Sequence, residues 1–169
     1  MRLQLNRTQA LMFGVIMGSL SLAIQLFVPG IPVGPGKIDL ALVPAIVGAV
    51  FGGPMASVII GLLHGIGSPA YIALIPSSVF SFTLIAFLAM KLKMRWGTPI
   101  AIVVGRILIG TVVATLIFQP LVYTSAPLLS VYIIGLSYNI PSSIIAIIIC
   151  SLVEKRFLTV FGRSEPVTK

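Results

Sequence analysis

Side chains able to do acid–base, nucleophilic or metal chemistry are few: three carboxylates (Asp39, Glu154, Glu165), one histidine (His64) and one cysteine (Cys150) in 169 residues. A carboxylate pair, a Cys/His metal cage and a nucleophile–His–acid triad are all hard to assemble from so short an inventory. No enzymatic activity, metal or cofactor is therefore expected. Gly36-Lys37 follows a glycine-rich stretch, but a phosphate-binding loop needs Gly where Ile31 stands and Ser or Thr where Ile38 stands, so the chain carries no ATPase of its own. Two small constellations remain, and both suit recognition better than bond-breaking. Lys37 and Asp39, two residues apart, can pair with each other or snorkel, or Lys37 can meet an anionic group of a ligand. Asn139 stands two residues before Pro141, which cannot donate to the Ser137 carbonyl, leaving a bare acceptor beside an amide side chain. That amide can serve a helix–helix hydrogen bond or a ligand.

The elements that must position these residues are membrane helices. Hydrophobic residues make up 58% of the chain and charged residues 8%, with a mean hydropathy of +1.17, against a charged share of roughly a quarter in soluble domains. Glycine and proline punctuate the apolar sequence into six segments, approximately 8–29, 38–51, 55–67, 71–90, 99–118 and 128–153. The first is preceded by a charged stretch resembling a signal peptide, but its ~33 Å of helix is long enough to span, so a retained first helix is expected. Between it and the second, Pro29 to Gly36 holds three Gly and three Pro, a density expected to form a loop, neither helix nor strand. The second and third segments are short for full spans, and a re-entrant hairpin is the alternative; both return the chain to the same side. The expected fold is an all-α membrane protein, a six-transmembrane-helix bundle forming one domain.

Charge orients the bundle. With the N-terminus inside, Arg2, Arg7, Lys91, Lys93, Arg95, Lys155, Arg156, Arg163 and Lys169 are cytoplasmic, Lys37 alone is outside, and Arg106 lies within a span. Both termini are then cytoplasmic, and the net charge of +8 reads as an orientation signal in the cell membrane with no need of nucleic acid as a partner. On the other face fall the uncharged polar and aromatic residues: Gln25, His64, Ser77, Ser78, Gln119, Tyr123, Tyr132, Tyr138 and, about 17 Å of helix from the outer end, Asn139. Polar groups are costly against hydrocarbon, so these are expected to point inward and, with Lys37 and Asp39, to line an outward-facing pocket for a small ligand. Tyr71, Tyr123 and Tyr132 can equally act as interfacial anchors.

Ala10, Gly14 and Gly18 recur every fourth residue in the first span, a small-residue stripe that admits another helix closely, either from within the chain or from a partner subunit. Arg106, roughly 12 Å from the inner end of its span, either snorkels inward between helices or meets a partner subunit. None of the three acids lies mid-membrane, so uphill transport would need energy from a partner.

Together these features resemble the substrate-binding S components of energy-coupling factor (ECF) vitamin transporters. Lys37-Ile-Asp39-Leu-Ala-Leu-Val-Pro44-Ala-Ile-Val-Gly48-Ala looks like the family's K-x-D-x4-P-A-x2-G-A segment. Phe51-Gly52-Gly53-Pro54 is similar to its F-G-P turn with one extra Gly, and Asn139-Ile-Pro-Ser is similar to its Asn-containing sixth span. The resemblance implies a receptor that captures a vitamin or vitamin precursor outside the cell and delivers it with a transmembrane coupling subunit and two cytoplasmic ATPases. It also implies that the Ala10/Gly14/Gly18 face meets the coupling subunit. The Lys-x-Asp start is most like riboflavin-binding members, and Met1-Arg2 departs from the Met-His start of the nickel/cobalt branch. The rival expectation is a small structural or assembly subunit of a larger membrane complex with no ligand of its own.

Overall fold

The structure, a computed structural model, describes residues 6–33, 36–68, 70–92 and 96–161; for residues 33, 36, 37 and 157–161 the backbone alone is described. It is all-α apart from one small ribbon: α1 (Arg7–Phe27), β1 (Ile31–Val33), β2 (Gly36–Ile38), α2 (Leu42–Ile66), α3 (Tyr71–Lys91), α4 (Gly97–Leu121) and α5 (Leu128–Phe161). By length and composition all five are long and apolar enough to cross a membrane, α2 only when its 25 residues are taken end to end. Their outward faces carry Met12, Ile16, Leu20, Phe87, Leu116 and Ile148, all exposed, as a lipid-embedded protein requires. α1 starts on a capping box: the Asn6 side chain accepts from Gln9 N–H at 2.8 Å, and the Gln9 side chain accepts from Asn6 N–H at 3.0 Å.

α2 is helical throughout except at Gly53, whose φ of 78° and ψ of −176° fall in a region open essentially to glycine alone. There the chain doubles back. A Cβ placed on Gly48 would lie 2.5 Å from Ile60 Cδ1 and one on Gly52 2.6 Å from Ala56 Cβ, whereas residues 48 and 60 of a straight helix are about 18 Å apart. α2 is therefore a hairpin of two limbs, each only about 16–20 Å long and separated at the Gly52-Gly53-Pro54 break that the sequence marks.

α1 lies against both limbs. Ser21 is bonded beside the start of the first limb, Met17 packs at Gly48, and Phe13 packs at Gly52. Along the second limb a Cβ on Gly14 would sit 2.9 Å from Ala56 Cα, and one on Gly18 3.2 Å from Ile60 Cα. Of the two neighbours the stripe of Ala10, Gly14 and Gly18 admits, the structure shows the one from within the chain: all three are buried, and at Gly14 and Gly18 the close approach is to the chain's own second limb. The small residues are there because the two backbones meet too closely for side chains. α3 returns antiparallel along the second limb, where a Cβ on Gly61 would lie 2.5 Å from Val79 Cα and one on Gly65 2.6 Å from Ile75 Cα. α4 packs on α3 at Gly105 and Gly110, and α5 closes the bundle against α4 and the first limb.

Residues expected to form a loop instead form an antiparallel ribbon, with Ile31 opposite Ile38, Pro32 opposite Lys37 and Val33 opposite Gly36. A two-stranded ribbon consists only of edge strands, where proline is tolerated, so the proline density that argues against a strand in a wider sheet does not apply. β2 packs on α5 and leads directly to Asp39.

Candidate functional site

One end of the bundle holds a cavity of about 330 Å³. It is gathered from the end of α1, the two ends of α2, the start of α3, the last turns of α4 and the first turns of α5, all of which meet at this end. Leu42, Leu74, Phe118, Val131 and Ile134 give it apolar walls, and its polar lining is set deeper than the mouth residue Tyr123.

Asp39 is held at the rim by two bonds: its own N–H donates to Ser142 Oγ at 2.9 Å, and its carboxylate accepts from Ala41 N–H at 3.0 Å, closing the turn into α2. Ser142 follows Pro141, and its hydroxyl donates to the Tyr138 carbonyl at 3.0 Å. The same Ser142 oxygen is thus tied to the backbone of α5 and fixes Asp39.

His64 is 1% exposed. Ser21 Oγ donates its single hydrogen to the Ala41 carbonyl at 2.8 Å, so in the 2.9 Å contact between Ser21 Oγ and His64 Nδ1 the imidazole must be the donor. Nε2 is then the atom His64 has to offer a ligand. The ring meets Phe82 edge-on, with centroids 5.5 Å apart.

On the opposite wall, Val103–Leu108 is wound as a π-helix within α4, with Ile109 N–H reaching back to the Val104 carbonyl. This wide turn carries Arg106, which is 6% exposed and lines the cavity. Its guanidinium carbon stands over the Phe82 ring, 5.3 Å from the centroid, a cation–π contact of about 2 kcal/mol when desolvated. The Arg106 carbonyl, freed by the wide turn, accepts from Thr111 Oγ1 at 3.1 Å; Thr111 in turn accepts from Asn139 Nδ2 at 3.0 Å. Because the Thr111 hydrogen is committed, Asn139 must present its NH2 there, which leaves its carbonyl oxygen for the cavity.

Five of the eight residues expected to bind substrate line this cavity: Asp39, His64, Tyr123, Tyr138 and Asn139. Gln119 and Tyr132, both half-buried, are not part of its lining, and the Lys37 side chain lies outside the described residues. Expected either to snorkel inward between helices or to meet a partner subunit, Arg106 lines the cavity, carried there on a π-turn that changes the direction of side chains relative to a regular helix. Sequence reasoning missed Ser21, Thr111 and Ser142 as supports. Their signal was a hydroxyl in an otherwise apolar helix, a weak one because such hydroxyls also bond their own backbone. Asn139 serves both readings open to it, bonding α4 to α5 and lining the cavity.

Among the described residues, no group of three His, Cys, Asp or Glu side chains could hold a metal ion. The chain matches no protein-family description, no curated protein and no solved structure.

Proposed function

We propose that this protein is a membrane-embedded substrate-capture subunit, of the kind represented by the S components of ECF-type importers. It binds a vitamin or vitamin precursor in the cavity and passes it inward with a transmembrane coupling subunit and two ATPases. The observation that carries this reading is the cavity itself: a space of about 330 Å³, within the range of small-molecule sites, where His64, Arg106 and Asn139, all buried, meet apolar walls at one end of the bundle. The hairpin at Gly53 supports counting α2 as two segments and hence six in all. That count, taken with the positive-inside distribution of Lys and Arg, supports a reading with both termini in the cytoplasm and the cavity mouth outside the cell membrane.

Purification in detergent tests the reading. A capture subunit retains a small molecule identifiable by mass or absorbance, or binds one vitamin of a panel, with riboflavin included, at submicromolar Kd by calorimetry. Co-expression with a coupling subunit and its ATPases should then restore uptake of that compound. A protein that carries nothing, binds nothing and is recovered only as a constituent of a larger assembly is the structural subunit of the rival reading.

A further inference from the structure

Arg106 is a permanent cation that forms no salt bridge with a described residue. Its Nε is completely buried with no hydrogen-bond partner, and its guanidinium forms no hydrogen bond or salt bridge with another described residue. Asp39 lines the same cavity but its carboxylate is bonded into the turn before α2. Burying a charge without a partner is expensive, and the Phe82 ring offsets only part of that cost.

A count of donors sharpens the point. The Thr111 hydroxyl is committed to the Arg106 carbonyl, Thr115 to the Thr111 carbonyl at 2.8 Å and Ser77 to the Leu74 carbonyl at 3.1 Å, while Asn139 donates to Thr111. Among the described lining residues the guanidinium N–H groups are the charged donors, the Tyr123 and Tyr138 hydroxyls and the second Asn139 N–H being neutral ones. Free acceptors in the lining are the Asn139 carbonyl oxygen, His64 Nε2 and Gln25 Oε1, the last buried and unpartnered.

We propose that the cavity is built for a small monocarboxylate, its carboxylate held by the Arg106 guanidinium and its hydroxyl or amide N–H groups by the acceptors opposite. The planar fork of Arg matches a carboxylate in two parallel bonds. A phosphate dianion fits less well, since it would set two negative charges beside Asp39 against the one cation among the described lining residues. The volume, near the lower end of the small-molecule range, favours a compact acid. This inference rests on the capture reading and narrows it, because riboflavin carries no carboxylate.

Calorimetry on the detergent-solubilised protein tests it, with pantothenate, biotin, nicotinate, riboflavin and thiamine as probes. The methyl ester or amide of each acid, and laurate as a lipid-derived carboxylate, complete the panel, alongside mass identification of whatever co-purifies. One of the soluble acids, or a co-purified acid, should bind, and its neutral ester or amide should bind about 100-fold more weakly. Arg106→Gln should bind acid and ester equally weakly, and Arg106→Lys should recover part of the difference. Ligand-free Arg106→Gln should melt no lower than wild type, because an uncompensated buried charge has been removed. If that variant does not fold, the acid–ester comparison on wild type still decides. Binding of riboflavin or another neutral compound, unaffected by Arg106→Gln, would overturn the carboxylate assignment and leave the capture reading standing, as would laurate binding as tightly as the best soluble acid. No co-purified molecule and no binding by any probe would remove the capture reading, and this one with it.

Discussion

The bundle is built from two unlike halves. From α1 to α3 the helices are held by close approach: Gly14, Gly18, Gly61 and Gly65 each bring a neighbouring backbone within about a Cβ radius. From α4 to α5 the contact is a seam of hydroxyls and amides running from Asn139 through Thr111 to the wide turn at Arg106. In lipid, where apolar side chains gain nothing by leaving the solvent, packing of small residues and interhelical hydrogen bonds are the two available means of association. The contacts among α1, α2 and α3 rely mainly on the first and the seam between α4 and α5 on the second, and both halves contribute residues to the cavity.

The contrast breaks most visibly at Gly61. In Gly61→Val the new Cβ would stand 2.5 Å from Val79 Cα and 2.7 Å from Val79 N, backbone atoms that move only if α3 moves. A loss of about 3 kcal/mol or more is expected, seen as collapse of the monodisperse peak in size-exclusion chromatography. Gly53→Ala is next. Its surroundings are open, the nearest atom being Met90 Sδ at 3.9 Å, so backbone conformation alone is penalised, by about 1–3 kcal/mol; thermal unfolding in detergent should register that loss while ligand affinity at a saturating temperature margin stays the same.

In the seam the expected effects shift from stability to binding. Asn139→Ala removes the bond to Thr111 and should cost only about 1 kcal/mol of stability, yet weaken the co-purified ligand by roughly tenfold through loss of the free carbonyl. Unchanged affinity with a large drop in Tm would reverse the assignment of the two halves. Gly135→Ala is the mildest: the added Cβ meets a side-chain methyl, Thr111 Cγ2, at 3.0 Å. Stability should change by under about 1 kcal/mol while calorimetry shows weaker binding, since Gly135 lines the cavity.

Much of this was legible in the letters because membrane helices must be apolar along their length. Gly52-Gly53-Pro54 and Gly67-Ser68-Pro69 marked breaks where the structure bends, and Asp39, His64, Tyr138 and Asn139 stood out as polar residues with nowhere to go but inward. What escaped did so for identifiable reasons. A small-residue stripe shows that something approaches closely and is silent about what, so Gly14 and Gly18 could not announce the second limb of α2. Arg106 was misplaced because counting residues along a helix presumes 3.6 per turn, which Val103–Leu108 does not obey. The ribbon at Ile31–Ile38 was hidden by its prolines, which exclude a strand only where both edges are paired.

The wide turn in α4 also makes the site vulnerable to the smallest of genetic lesions. Loss of a single codon between Arg106 and Leu108 would let α4 relax to regular winding and swing Arg106 by about 100° relative to Thr111, Thr115 and Phe118. The remaining helix would still measure about 36 Å, ample to cross a bilayer. Such a deletion would be inserted, folded and silent.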